Sequence, residues 1–201
     1  EAGAPVRGVF TFPGHSYAPG AGTDAAAEEA RALRSAVESF RTVGLEPDVV
    51  SGGSTPTLAA SLSDPGAGLL TELRPGVYVF GDAQQWELGS TRPEDVALSC
   101  RATVVSHAGG RLVLDAGSKA LGADRAPWAT GWGRLPAYPD ARVVQLSEHH
   151  AVVDLHGAAL PALGSRVDLV PNHVCNAVNL ADVLWADDTA AWHVVARGHN
   201  C

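Results

Sequence analysis

Three short segments of this chain carry residue types that can do chemistry. The first is Ser51-Gly52-Gly53-Ser54-Thr55-Pro56-Thr57. Its two glycines let the backbone turn sharply and approach a ligand closely. Thr55 is placed as a helix N-cap, with Pro56 as the first helical residue. The N–H groups of such a helix start, with the Ser54 and Thr55 hydroxyls, form a cradle for a phosphate. An ordinary capped Gly-rich turn uses the same residues, so spacing alone leaves both readings open. No Gly-Lys-Ser/Thr follows, which excludes a Walker-type loop.

The second segment is Pro171-Asn172-His173-Val174-Cys175. On an extended backbone, residues i and i+2 point the same way. His173 and Cys175 are then expected to converge on one metal ion, and imidazole plus thiolate suits zinc. Two protein ligands leave positions open for water or substrate. A loop histidine beside a buried free cysteine fits the same residues. The third segment is Phe12-Pro13-Gly14-His15-Ser16-Tyr17. His15 and Tyr17 at a strand end suit proton transfer and ring contacts; a well-packed loop is the alternative. Glu148-His149-His150 is either a site element or a solvated strand end. His107, His156, His193 and His199 have no partner at a telling spacing.

The elements that must position these residues fall into two groups. Gly8–Phe12 reads as a buried strand. A helix is expected from Thr23 or Asp24 to about Val43, with Leu33, Val37 and Phe40 on one face and Gly44 as its stop. Pro47–Ser51 reads as a second strand, Thr57–Leu62 as a short helix and Gly76–Phe80 as a third strand. This βαβαβ order implies a parallel sheet, open or closed into a barrel. In a barrel, His15, Tyr17, the Gly-Gly-Ser-Thr turn and Gly81-Asp82 would gather at the strand ends where such folds place their chemistry. Beyond Pro93 the pattern changes. Arg101–His107 and Arg111–Asp115 flank Gly109-Gly110 as a hairpin. Strands are expected at Arg142–Leu146, Ala151–Leu155, Arg166–Val170 and Trp192–Ala196, and no long amphipathic helix is expected after residue 100. The chain therefore divides into an α/β part over residues 1–95 and a β part over residues 96–201.

The formal net charge of -8 argues against nucleic acid and anionic membrane surfaces as partners. No apolar run is long enough to span a membrane as a helix. Three cysteines, Cys100, Cys175 and Cys201, are odd in number and too few for a disulfide framework, so a reducing, cytoplasmic setting is expected. Lys119 is the sole lysine.

Taken in order, GHSY (14–17), SGGSTPT (51–57), ELRPGVYVFGD (72–82), DAGSKAL (115–121), SEH (147–149), PNHVC (171–175) and VVARG (194–198) resemble the C-terminal half of D-threonine aldolases and D-serine dehydratases. These are fold-type III pyridoxal-phosphate enzymes, related in architecture to alanine racemase. The resemblance implies an α/β plus β fold: the last three βα units of a TIM-type (βα)8 barrel, then a mostly antiparallel β-domain. It implies that Gly52, Gly53, Ser54 and Thr55 hold the cofactor phosphate and that Tyr17 contacts the cofactor nearby. It implies that His15 and Tyr17 serve catalysis and that His173 and Cys175 bind a divalent metal. Cysteine at the second ligand position favours zinc, with manganese as the alternative. The implied activity is D-serine dehydration or D-threonine aldol cleavage by a homodimer acting on D-amino acids. The family's Schiff-base lysine belongs to an N-terminal half absent here, and Lys119 is not that residue. A missing half must come from the same native chain or from a complementary one. The competing readings are a non-catalytic fragment or binding module, and a fold-type III amino-acid racemase.

Overall fold

The computed structural model describes residues 6–63 and 68–199. They form two compact units. One comprises residues up to Tyr78 together with Leu88–Ser90, and the other comprises Val79–Glu87 with the remainder from Thr91.

In the first unit, β1 (Gly8–Phe10) precedes α1 (Gly22–Thr42), β2 (Val49–Gly52), α2 (Leu58–Ser63) and β3 (Glu72–Leu73). The strands make a parallel sheet in the order β1-β2-β3, with Val9 opposite Val50 and Ser51 opposite Glu72. Helix α1 spans the expected range. Ala25, Glu29, Leu33 and Val37, each four residues from the last, form its buried row. Leu33 and Val37 pack on Val50, with Val9, Leu69 and Leu70 around them. Each such side chain contributes about 1.5–3 kcal/mol on burial. Gly44 takes φ +76 and its N–H donates to Arg41 O (3.0 Å), which ends the helix as expected. The start differs from expectation. The N-cap position is Ala21 with no side-chain cap, and Asp24 lies within the first turn, where its charge favours the helix dipole.

The third strand also differs. Pairing with β2 is confined to Glu72 and Leu73, and Val77–Val79 is a single 3-10 turn. Pro75 and Gly76 lie between the two. A short apolar run does not declare its conformation by periodicity, and here a Pro-Gly step separates it from the sheet.

In the second unit, α3 (Ala83–Leu88) leads to β4 (Cys100–Ser106), β5 (Leu112–Leu114), α4 (Ser118–Leu121), β6 (Gly133–Arg134), β7 (Arg142–Leu146), β8 (Ala151–Asp154) and β9 (Arg166–Pro171). The six strands form an antiparallel sheet in the order β6-β9-β4-β5-β8-β7. Just ahead of β6, Trp132 N–H donates to Val143 O of β7 (3.1 Å), so the sheet nearly closes. The expected hairpin is β4–β5, turned at Gly109 and Gly110 with φ +65 and +73. Inward residues Val104, Leu112, Leu114, Leu135, Val143, Val153 and Leu169 fill the interior. Residues expected as strands at 142–146, 151–155 and 166–170 are β7, β8 and β9.

Two features were not expected. A seven-residue helix, α5 (Val174–Leu180), follows β9 directly. The last expected strand lies earlier, at β11 (Ala190–His193), and pairs with an unforeseen β10 (Val183–Ala186) in a separate hairpin.

Candidate functional site

The Gly-Gly-Ser-Thr segment leaves the end of β2 as a buried, internally bonded turn. Gly53 has φ +86, which only glycine adopts without strain. Gly52 is required for space, because a Cβ there would lie 2.8 Å from Glu29 Oε1. Glu29, on the buried row of α1, aims its carboxylate at the turn. Both of its oxygens lie 2.9 Å from Gly53 N, whose N–H donates to them. Gly53 N–H already serves Glu29 and is not an open donor in this turn. Burial pushes the Glu29 carboxyl above its ordinary value, against the lowering pull of Gly53 N–H and of Arg74 and His15.

Ser54 and Thr57 bond reciprocally. Ser54 N–H donates to Thr57 Oγ1 (2.9 Å), and Thr57 N–H donates to Ser54 Oγ (3.3 Å). The capping role thus falls to Ser54 rather than Thr55, and regular helix begins only at Leu58. Thr55 Oγ1 accepts from Tyr78 N–H (3.1 Å). Ser54 Oγ also bonds Ser16 Oγ (2.9 Å), and both serines are fully buried. That contact joins the GHSY segment to the turn. His15 sits in a 3-10 turn with Nε2 3.1 Å from Glu28 Oε2, both side chains exposed. The Tyr17 and Phe12 rings are tilted at 6.1 Å between centroids. A cavity of about 200 Å³ opens beside these residues, lined by Ser16, Gly20, Gly22, Thr23, Pro56 and Ser90.

In the second unit, Pro171–Cys175 is held from several sides. Asn172 Nδ2 donates to Gly131 O (2.7 Å), and Asn172 O accepts from Gln84 Nε2 (3.1 Å). Asp82 is buried and caps two helices. Its Oδ1 accepts from Gln85 N–H (2.8 Å) and its Oδ2 from Val174 N–H (3.2 Å). Burial pushes the Asp82 carboxyl upward. Because Asp82 captures Val174 N–H, the chain turns into α5 immediately after His173. The expected extended i, i+2 geometry is therefore not met: His173 is extended, with φ -133 and ψ 106, but Cys175 is helical. His173 Nδ1 lies 2.5 Å from Asp124 Oδ2. Cys175 is exposed on the first turn of α5. Desolvation, then the charges of Asp82 and Asp124, hold its thiol above the ordinary value. Among the described residues, no group of three or more His, Cys, Asp or Glu side chains is arranged around a metal position.

By donor chemistry alone, imidazole and thiolate suit a metal ion. The Nδ1 of His173 is engaged, which leaves Nε2 to coordinate, and a thiol follows two residues on. Asp124 Oδ1 is buried without a hydrogen-bond partner. The turn after β2 fits a phosphate less fully, through the Ser54–Thr55 hydroxyl region but not through Gly53 N–H. Glu29 and Asp124 belong to no sequence motif, whereas Ser16 lies within the GHSY segment and Asp82 within the Gly81-Asp82 strand end expected at the site. Glu29 did carry a signal, a charge on the i+4 row of Ala25, Leu33 and Val37.

Lys119 Nζ lies 2.7 Å from Glu148 Oε2 and 3.3 Å from His149 Nε2, all exposed, so Glu148 and His149 take the solvated reading. The DAGSK and SEH segments abut: Ser118 N–H donates to Ser147 O (2.8 Å) and Lys119 N–H to Glu148 O (3.1 Å).

Comparison with known proteins bears on these two units. A family model described as a putative serine dehydratase domain matches residues 97–186, and the alanine racemase N-terminal domain matches residues 1–84. D-threo-3-hydroxyaspartate dehydratase of Delftia sp. is 35% identical over 197 residues, covering 87% of this chain and 51% of that protein. Its solved structure superposes with a TM-score of 0.75 at 32% identity, over 92% of this chain and 54% of that one. The chain belongs to the D-threonine aldolase / D-serine dehydratase family. The D-threonine aldolase of an Arthrobacter sp. is 33% identical over 86% of this chain and 46% of that protein. The chain thus spans about half the length of the curated enzymes of the family that it matches. A Mycobacterium tuberculosis relative is shorter: it is 51% identical over 132 residues, which are 61% of this chain and 99% of that protein. Those relatives are, by name, a D-threo-3-hydroxyaspartate dehydratase, a D-serine dehydratase and a D-threonine aldolase.

Proposed function

We propose that this chain is the phosphate- and metal-binding half of a pyridoxal-phosphate- and metal-dependent lyase acting on D-3-hydroxy amino acids, by dehydration or aldol cleavage. Its α/β unit corresponds to the last three βα units of a TIM-type barrel. The observation that carries the reading is the His-x-Cys pair at the start of α5, with His173 Nδ1 already engaged by Asp124. The Delftia relative supports it. One solved structure of that protein is the metal-free form of a variant with a cysteine replaced by alanine, and another has a histidine two positions earlier replaced by alanine. His173 and Cys175 share that residue order and spacing.

When bound, the cofactor supplies an electron sink and the metal supplies Lewis-acid polarisation of a substrate hydroxyl. The chain's own residues do the rest. His173 Nε2 and Cys175 Sγ would hold the ion, zinc by ligand type with manganese as the alternative. Ser54 and Thr55 would hold the phosphate from a turn kept rigid by Glu29 and Ser16. Tyr17 would lie against the cofactor ring, and His15, shared with Glu28, is the candidate for moving a proton near it. Activity would require the N-terminal half that carries the Schiff-base lysine, from the same native chain or from a complementary one. A homodimer in the cytoplasm is part of the same reading. Among the described residues, no helix is long and apolar enough to cross a membrane.

The competing reading is a binding module without catalysis. Metal titration of the purified chain tests the main one. We expect about one zinc per chain, lost in both H173A and C175A. Stoichiometric zinc retained in both variants refutes the metal role. Addition of an N-terminal half from a full-length family member then separates enzyme from module, through pyruvate or glycine release from D-serine or D-threonine.

A further inference from the structure

A carboxylate stands behind His173, the first residue of the His-x-Cys pair. His173 Nδ1 and Asp124 Oδ2 are 2.5 Å apart, and both side chains are about one-third exposed. A carboxylate only accepts, so Nδ1 carries the proton and donates. Nε2 is then the ring nitrogen left outside that bond, on the side of the ring away from Asp124. Asp124 follows Gly122, which takes φ +77 after α4. A Cβ at Gly122 would lie 3.0 Å from Asn176 Cβ of α5 and 3.3 Å from Asp124 Oδ1, so this loop is pressed against the helix that His173 opens. The other oxygen, Asp124 Oδ1, is buried with no donor. An unsatisfied buried carboxylate oxygen costs stability, and packing alone gives no reason to keep a charge there.

We propose that Asp124 is the positioning residue of the metal site: its carboxylate fixes the tautomer and ring orientation of His173 so that Nε2 faces the ion. This rests on the metal reading above and extends it to a residue outside the ligand pair. The physical gain is twofold. Without Asp124, the ring proton distributes over both nitrogens and the ring rotates about its own bonds, so only part of the population is ready to coordinate. With Asp124, the anion also makes the imidazole a stronger donor. Carboxylates behind metal-bound histidines are worth about 10–100-fold in metal affinity when removed.

The test is zinc affinity of the full chain, read by competition with a chromogenic chelator, for the parent, Asp124→Ala and Asp124→Asn. Histidine 15N shifts of the metal-free proteins, assigned through loss of one signal in His173→Ala, report the tautomer. We expect the parent to show a single Nδ1–H form of His173. Asp124→Ala should mix the tautomers and weaken zinc binding about 10–100-fold. Asp124→Asn keeps the volume and an acceptor but not the charge, so it should hold the tautomer and still weaken zinc; it also controls for any misfolding of the alanine variant. Zinc bound through His173 with unchanged affinity in both variants overturns this proposal and leaves the metal reading standing. A parent chain that binds no zinc overturns both.

Discussion

The buried carboxylate of Glu29 makes a prediction that depends on sign as well as size. Glu29→Ala removes both acceptors of Gly53 N–H, each 2.9 Å away. Gly53 is buried, so its N–H loses its partner without ready access to water. An orphaned buried donor costs about 1–3 kcal/mol. The methylene lost from the packed row between Ala25 and Leu33 adds about 0.8 kcal/mol. The expected destabilisation is about 2–4 kcal/mol, read as a lower urea midpoint at constant slope. Glu29→Gln keeps one acceptor and removes the charge, so it should cost much less at neutral pH.

The pH dependence separates charge from shape. Desolvation raises the Glu29 carboxyl above its ordinary 4.5, so the folded chain keeps this proton to higher pH than the unfolded chain does. Where the folded state binds more protons, stability falls as pH rises. The contribution is therefore complete below about 4.5 and is lost as pH climbs through the raised folded value. Unfolding the parent and Glu29→Gln in urea across pH 4–8 should show the parent losing ground steadily to the variant. A gap that stays constant, or that grows in the parent's favour, would mean that Gly53 N–H, Arg74 and His15 outweigh burial. Glu29 would then hold the turn chiefly as a charged acceptor. Phosphate binding offers a second readout: loss of a negative charge in Glu29→Gln should tighten it, whereas the loosened turn of Glu29→Ala should weaken it.

Two further outcomes test the β unit. Arg134 is buried and donates through Nη2 to Glu87 Oε2 (2.6 Å) and Thr130 Oγ1 (2.9 Å). Arg134→Met should cost about 3–5 kcal/mol, because Glu87 is left as a mostly buried charge without its cation; calorimetric unfolding at equal pH checks this, and a loss below about 1 kcal/mol would show Glu87 resolvated. At Gly117 a Cβ would lie 2.3 Å from Ser147 O and 2.4 Å from Glu148 O. Gly117→Ala should therefore separate the DAGSK and SEH segments and destabilise by about 1–3 kcal/mol or more; protected amide exchange at Ser118 and Lys119, equal to that of the parent, would contradict it.

Much of the fold was legible because periodicity reports which face is buried. Leu33 and Val37 on the buried face of α1 and the strands β7, β8 and β9 followed from the apolar spacing, whereas Phe40 is only half-buried and Ala25 and Glu29 complete the row. The hairpin at Gly109-Gly110 followed from turn chemistry. The errors came where local pattern is silent. Val77–Val79 has strand-like residues, but Pro75-Gly76 takes it out of register with β2. Helix α5 was read as extended because nothing local announces that Asp82, 92 residues away, will capture Val174 N–H. The site was legible as segments and not as contacts. GHSY and SGGST each carry a local signal, but the buried Ser16–Ser54 bond that joins them spans 38 residues. Asp124 belongs to a stretch, Gly122–Arg125, with no motif of its own.

The hidden partners share a chemistry that bears on what the two units can hold. Glu29 supports the turn after β2, while Asp82 and Asp124 support the start of α5. Each is a carboxylate at least partly withdrawn from water, each accepts from a backbone or ring N–H, and each keeps a charge that apolar packing would not need. For a cation this is coherent: Asp124 orients His173 and adds negative potential where an ion would sit. For an anion the same residue type works in the opposite direction, because Glu29 opposes a phosphate near Gly53. The compensation present in that unit is Arg74, whose N–H donates to Gly52 O (2.9 Å) and whose guanidinium donates to Thr11 O (2.6 Å) and stacks over Phe10 at 4.9 Å. If a phosphate binds at Ser54 and Thr55, its charge must be balanced by Arg74 or by protonation of Glu29. Burial has already moved the Glu29 carboxyl toward that protonated form.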